Sequence, residues 1–211
     1  MPDQPSWMLV RLALDTRAFH AIADGDRLVL LEHATTARYR DFLAMVFGFE
    51  SVYEAAFAAA PRVHRELGRA RAKSDRLAAD LIALGLTEAQ VASLPRCSAV
   101  PTFRTPAQAM GWLYAIERNT LLHGLLRRHL ATVILEAIEH AGSYLAAYGD
   151  TPGARYRELG AALDKFGAIA GDIPRQLVTA ASEAFRAQHA WCSASSARSS
   201  VAEDIALASH A

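Results

Sequence analysis

The chain has 211 residues, 52% of them hydrophobic, with 22 Lys+Arg against 22 Asp+Glu. That balance predicts one globular domain with a full-sized core and excludes a disordered chain or a collagen-like repeat. Zero formal net charge and the lack of a basic run remove the usual electrostatic footprint of a nucleic-acid binder.

Cys97 and Cys192 stand far apart without a Cys-x-x-Cys pair, which argues against a disulfide framework or zinc knuckle and fits a reducing compartment. The N-terminus has no charged segment followed by an apolar block. No stretch reaches the ~18 uninterrupted apolar residues of a membrane helix. The expectation is a cytoplasmic protein with no membrane and no nucleic-acid partner.

Apolar residues recur at helical spacing almost throughout, so the fold class expected is all-α. Ser6 or Asp3 can cap a first helix carrying Leu9, Leu12, Ala13, Phe19 and His20 and ending near Gly25. A second amphipathic stretch spans Thr36 to Ala59, with Tyr39, Phe42, Leu43, Val46, Phe47 and Phe49, and Pro61 marks its end. Ser74 to Leu84 forms a third, with Gly85 as its C-terminal cap. Thr87 to Gln90 opens a short helix that stops before Pro95, and Cys97 to Pro106 reads as a loop.

Thr105 and Pro106 are the N-cap and first position of the longest helix, carried through Trp112, Ile116 and Leu125 to about His129. Gly124 offers it a place to bend. Helices over about 131–148 and 153–169 are split by the turn Gly149-Asp150-Thr151-Pro152-Gly153. Asp172 and Pro174 start a last helix with Leu177, Ala181, Phe185 and Trp191. The domain is therefore placed at 1–192, with 193–211 as a Ser/Ala-rich tail expected to be mobile.

The hydrolase elbow, Gly-rich phosphate loop, His-Glu-x-x-His and dinucleotide fingerprint are all missing. A cofactor held between helices suits the eight histidines and a long helix whose apolar face has a polar interruption. On residues alone, a lone helix histidine such as His20 is usually a satisfied core or surface residue rather than a ligand. Glu136, Glu139 and His140 raise a non-haem iron alternative, though without the Glu-x-x-His spacing of helical di-iron sites.

Several segments in order carry a resemblance to a known family. The block Leu12-Ala13-Leu14-Asp15-Thr16-Arg17-Ala18-Phe19-His20 resembles the first helix of biliverdin-forming haem oxygenases, in which a Thr precedes the axial histidine by one turn. Tyr39-Arg40-Asp41-Phe42-Leu43 with Phe47-Gly48-Phe49 is similar to the next block. Ala109 to Glu117 is similar to the start of the family's distal helix, and Tyr148-Gly149 and Ala190-Trp191 also match. The likeness spans about Leu9 to Trp191 and is nearest to the bacterial group associated with bacteriophytochromes.

The resemblance implies a haem-oxygenase-like helical fold with haem, both cofactor and substrate, between a proximal and a kinked distal helix. It implies oxygenation of haem to biliverdin, CO and ferrous iron, using O₂ and an external donor such as a ferredoxin or reductase, with a bacteriophytochrome as possible receiver of biliverdin. His20 would be the iron ligand, with Thr16, Arg17, Tyr114, Leu121, Leu122 and Arg175 around the haem. Arg11 and Arg186 are further candidates for its propionates.

After Glu117 most of the family reads Gly-Ser-Thr-Leu-Gly-Gly, whereas this chain reads Arg118-Asn119-Thr120-Leu121-Leu122-His123. Arg118 and Asn119 are the expected catalytic donors, replacing part of a solvent network. His123 either ligates the iron or turns away, and an open site with His123 turned away is the expectation. The altered wall also motivates the alternative of a non-catalytic haem- or bilin-binding protein.

Overall fold

A computed structural model describes residues 5–61, 65–149 and 151–208, with side chains through residue 197. The candidate cap Asp3 and the turn residue Asp150 lie outside these residues. The described residues are all-helical, with no strand.

Helix α1 (Trp7–Asp15) begins as expected at Ser6, whose hydroxyl accepts from Leu9 N. The same hydroxyl donates to Asp164, which also accepts from Met8 N at 2.8 Å and so ties the N-terminus to a distant helix. The chain breaks at Thr16 and restarts as α2 (Arg17–Glu32). The Thr16 hydroxyl bonds back to Leu12 O at 2.6 Å, a competition with the helix ladder that bends helices. Contrary to expectation, α2 runs through Gly25. A glycine there costs about 1 kcal/mol, and the burial of Ala23, Arg27 and Leu30 carries the helix onward.

Helix α3 (Thr36–Ala59) has the expected bounds, capped by the Thr35 hydroxyl. It is long and apolar enough to cross a membrane by length and composition, yet it buries Tyr39, Leu43, Phe49, Tyr53 and Phe57 in protein. Next come α4 (Arg65–Arg69), α5 (Ser74–Ala83) and α6 (Glu88–Ser93). Gly85 takes φ +94°, the left-handed geometry its place after α5 demands. A capping box between Thr87 and Gln90 opens α6.

Helix α7 (Pro106–Asn119) is capped by Thr105 with Pro106 inside its first turn, and is buried on nearly every side, the mark of a central helix. It packs closely on α11: a Cβ at Gly111 would stand 2.6 Å from Leu177 O and 2.7 Å from Ala180 Cβ. The long helix bends at a 3₁₀ turn over Thr120–Leu122, not at Gly124, before α8 (His123–Val133). The Thr120 hydroxyl bonds Glu117 O at 2.6 Å there, repeating the device seen at Thr16.

The helix expected over 131–148 is divided. Ile134, at φ −132° and ψ 51°, separates α8 from α9 (Leu135–Ala141). Turns follow, pinned where buried Asp80 accepts from Ser143 N and Tyr144 N. After α10 (Pro152–Gly167), α11 (Ile173–Ala208) continues unbroken through 193–200. The expected tail boundary thus falls inside a helix. Ser195 and Ser196 bond back to Trp191 O and Cys192 O, and the interspersed alanines favour helix.

Two apolar clusters form the core. One gathers α1, the second half of α3, α7, α10 and α11, and the other gathers the end of α2, the first half of α3, α5, α8 and α9.

Candidate functional site

The break at Thr16 sets the phase of α2 and aims His20 toward α7. Because the Thr16 hydroxyl gives its proton to Leu12 O, it is an acceptor for His20 Nε2–H, 3.0 Å away. The Tyr114 hydroxyl of α7 lies 3.5 Å from the same nitrogen. Phe185 of α11 sets an edge against the imidazole, with ring centroids 5.5 Å apart, and stacks on Phe19. Partial burial, aided by the Arg118 charge, holds the His20 pKa below 6.5 against the opposing pull of Asp24. The imidazole is therefore neutral near pH 7, the form that ligates metals.

One turn along both helices a second rung repeats the contact. Arg118 forks onto Asp24, with Nη1 to Oδ1 at 2.5 Å and Nη2 to Oδ2 at 2.9 Å. Burial works against the guanidinium's charge, and the Asp24 carboxylate outweighs it, so the Arg118 pKa is raised. Tyr114 is pushed up by burial, although hydrogen bonds with Thr16 and Tyr156 oppose the shift. Beyond Arg118, Leu121 is half-exposed at the bend, while Leu122 packs against the second core cluster.

The structure thus brings together Thr16, His20, Tyr114 and Arg118 and leaves other expected site residues elsewhere. Arg17 is exposed. Arg175 is exposed beside Thr105 and Gln108, at the far end of α7, about 20 Å along the helix from Arg118. Arg11 pairs with Asp15 on the surface, whereas Arg186 lies over the Phe19 ring at 5.2 Å, next to His20. Asn119 faces inward, donating to Gln188 at 3.1 Å. His123 is buried against the Tyr144 ring at 4.6 Å.

Glu136, Glu139 and His140 are exposed on α9, and His140 Nδ1 lies 2.7 Å from Glu136 O. Among the described residues no three His, Cys, Asp or Glu side chains converge as a metal site. The non-haem alternative loses its ligand set.

Sequence reasoning missed a buried ionic network behind α7. Lys73 Nζ donates to Glu117 at 2.9 Å and lies 3.9 Å from Glu50. Tyr148 and Arg71 also reach Glu117, and the Tyr144 hydroxyl donates to Glu50 at 2.7 Å. Burial penalises the Lys73 charge, yet the two carboxylates raise its pKa well above the ordinary value. Burial raises Glu50 despite Lys73 and Arg27. The only sequence signal was charged residues interrupting apolar helices. Asp24 was missed too, although four residues after His20 is one helical turn. No family model matches this chain, and no curated protein matches it.

Proposed function

We propose that haem binds between α2 and the α7–α8 bend, where His20 would hold its iron. The chain then acts as a bacterial-type haem oxygenase, converting haem to biliverdin, CO and ferrous iron with O₂ and electrons from a ferredoxin or reductase. The observation that carries this reading is a neutral, partly buried imidazole on α2 facing a hydroxyl on α7, one turn before the helix bends. Two buried free cysteines suit a reducing, cytoplasmic setting, in which a bacteriophytochrome could receive the product.

The donor set fits the group. One imidazole would suffice for an iron whose other ligands the macrocycle supplies. Asp24, one turn on, sets a negative charge near the imidazole. Arg118 and Arg186 would offer guanidiniums for carboxylates. When bound, haem supplies the oxygen chemistry and is itself consumed.

The chain's residues bind, orient and gate. His20 would hold the iron in place of its hydrogen bond to Thr16, with the Phe185 edge keeping the imidazole plane. Tyr114 would hold a hydroxyl proton beside the bound group. Arg118, once released from Asp24, would offer its donors to a propionate, and Leu121, half-exposed at the bend, would shield the group from water.

A second reading, a non-catalytic haem- or bilin-binding protein, is favoured by Asn119 being engaged with Gln188 and Arg118 with Asp24. Haem titration followed by ascorbate, or by ferredoxin and its reductase, separates the two. Loss of the Soret band with growth of red bilin absorption supports the oxygenase. A stable haem spectrum supports the binder, and no haem complex at all overturns both haem readings.

A further inference from the structure

Beside the Lys73–Glu117 network, residues of α3, α4 and α7 line a cavity of about 360 Å³. Its walls are apolar where Phe57, Ala58 and Leu113 face it, and cationic where Arg65, Arg69 and Arg71 do. His20, Tyr114 and Arg118 do not line it.

The polar groups of this cavity are unevenly satisfied. Its two carboxylates are engaged: Glu117 takes Lys73 and Tyr148, and Glu54 takes Lys73 N, Ser74 N and the Ser74 hydroxyl. The groups without a hydrogen-bond partner include donors. The buried Tyr53 hydroxyl lacks one, Arg71 Nε lies 3.4 Å from Glu117 without a hydrogen bond of good geometry, and Arg65 has no carboxylate partner among the described residues. Arg69 pairs with Glu66 outside the cavity. A buried hydroxyl without a partner is costly, and three guanidiniums line the cavity against two carboxylates already engaged, so the group these residues would accept is an acceptor carrying negative charge.

We propose that this cavity binds a small organic monocarboxylate with an aromatic or short aliphatic body. A carboxylate matches the planar guanidinium fork, and Phe57 and Leu113 cover an apolar body of modest size. A hydrated polyanion is disfavoured by the same apolar walls. The inference is independent of haem binding.

Titration of the ¹⁵N-labelled full chain with benzoate tests it. Saturable shifts are expected at the Leu113 and Ala72 amides, with benzamide binding roughly tenfold more weakly for want of charge. Arg65→Ala, at an exposed position, should weaken benzoate about tenfold. Ala58→Trp, also at an exposed position, should abolish the shifts while the melting transition is kept, and His20→Ala should leave them unchanged. Absence of saturable benzoate binding would overturn the proposal. So would equal binding of benzamide, equal competition by inorganic phosphate, or insensitivity to Ala58→Trp.

Discussion

Arg118 and Asp24, 94 residues apart in sequence, form a two-pronged ion pair joining the last turn of α7 to α2 one turn beyond His20. Their side chains are only 16% and 27% exposed, so the pair is partly shielded from solvent. It bridges the same two helices as the Tyr114–His20 contact. If haem binds at His20 as proposed, both rungs would have to open to admit it.

Arg118→Ala and Asp24→Asn are therefore expected to lose about 1 kcal/mol of stability and to speed haem capture about fivefold. Melting curves and stopped-flow Soret growth measure the two effects. Arg118→Ala should also slow biliverdin formation or change which isomer forms. Haem capture as slow in both variants as in the parent chain would remove the pair from the gate.

His20→Ala should eliminate the axial-ligand spectrum of the haem complex and its turnover, with added imidazole restoring part of the spectrum. Because His20 is partly exposed and its neighbours Thr16, Tyr114 and Phe185 remain, the fold should be kept. A haem spectrum identical to that of the parent chain would move the ligand elsewhere.

Local chemistry made much of the helical frame legible. Ser6, Thr105 with Pro106, the Thr87–Gln90 box and Gly85 each act within a few residues, and the structure uses all of them. The breaks at Thr16 and Thr120 were not legible, because a threonine bonding back to a carbonyl has the same sequence as one facing solvent. The Lys73–Glu117 and Arg118–Asp24 pairs span 44 and 94 residues, and helical periodicity carries no information about partners so distant. A periodic pattern places His20 on a face; only the packed helices bring Tyr114 to it.

Cys97 and Cys192 should be unreactive in the folded chain. Both are buried, burial raises the Cys97 thiol, and burial pushes Cys192 up to about 12 despite the nearby Arg27. The thiolate is the reactive form. A disulfide reagent at about pH 8 is expected to label neither until denaturant is added, and the double Cys→Ser variant should keep its fold and any haem turnover. Rapid native labelling of Cys192 would contradict this environment.

Lys73→Met should be among the most damaging single substitutions. Glu117 and Glu50 would then lie buried with less positive charge to balance them, a loss on the order of 3–5 kcal/mol. Adding Glu117→Gln removes one stranded charge, so the double variant should be more stable than the sum of the two single losses predicts. Strict additivity in urea unfolding would mean that Lys73 and Glu117 are not coupled.

His123 makes stability depend on pH in a definite direction. Burial, reinforced by the charges of Arg27 and Lys73, lowers its pKa well below 6.5. As pH falls through about 6.5, the unfolded chain takes up a proton that the native chain does not, so stability falls by up to about 1.4 kcal/mol per pH unit. His20 acts in the same sense. Glu50 acts in the opposite one: with its pKa raised, the native state binds a proton where the unfolded state does not, which adds stability on acidification. The variant His123→Phe separates these contributions, since a phenyl ring keeps the tilted ring contact with Tyr144 and cannot titrate. Urea unfolding at about pH 7.5 and about pH 5.5 should show a loss in the parent chain that exceeds the loss in His123→Phe by about 1 kcal/mol. Equal losses in both chains would show that His123 binds its proton as readily in the core as in the unfolded state.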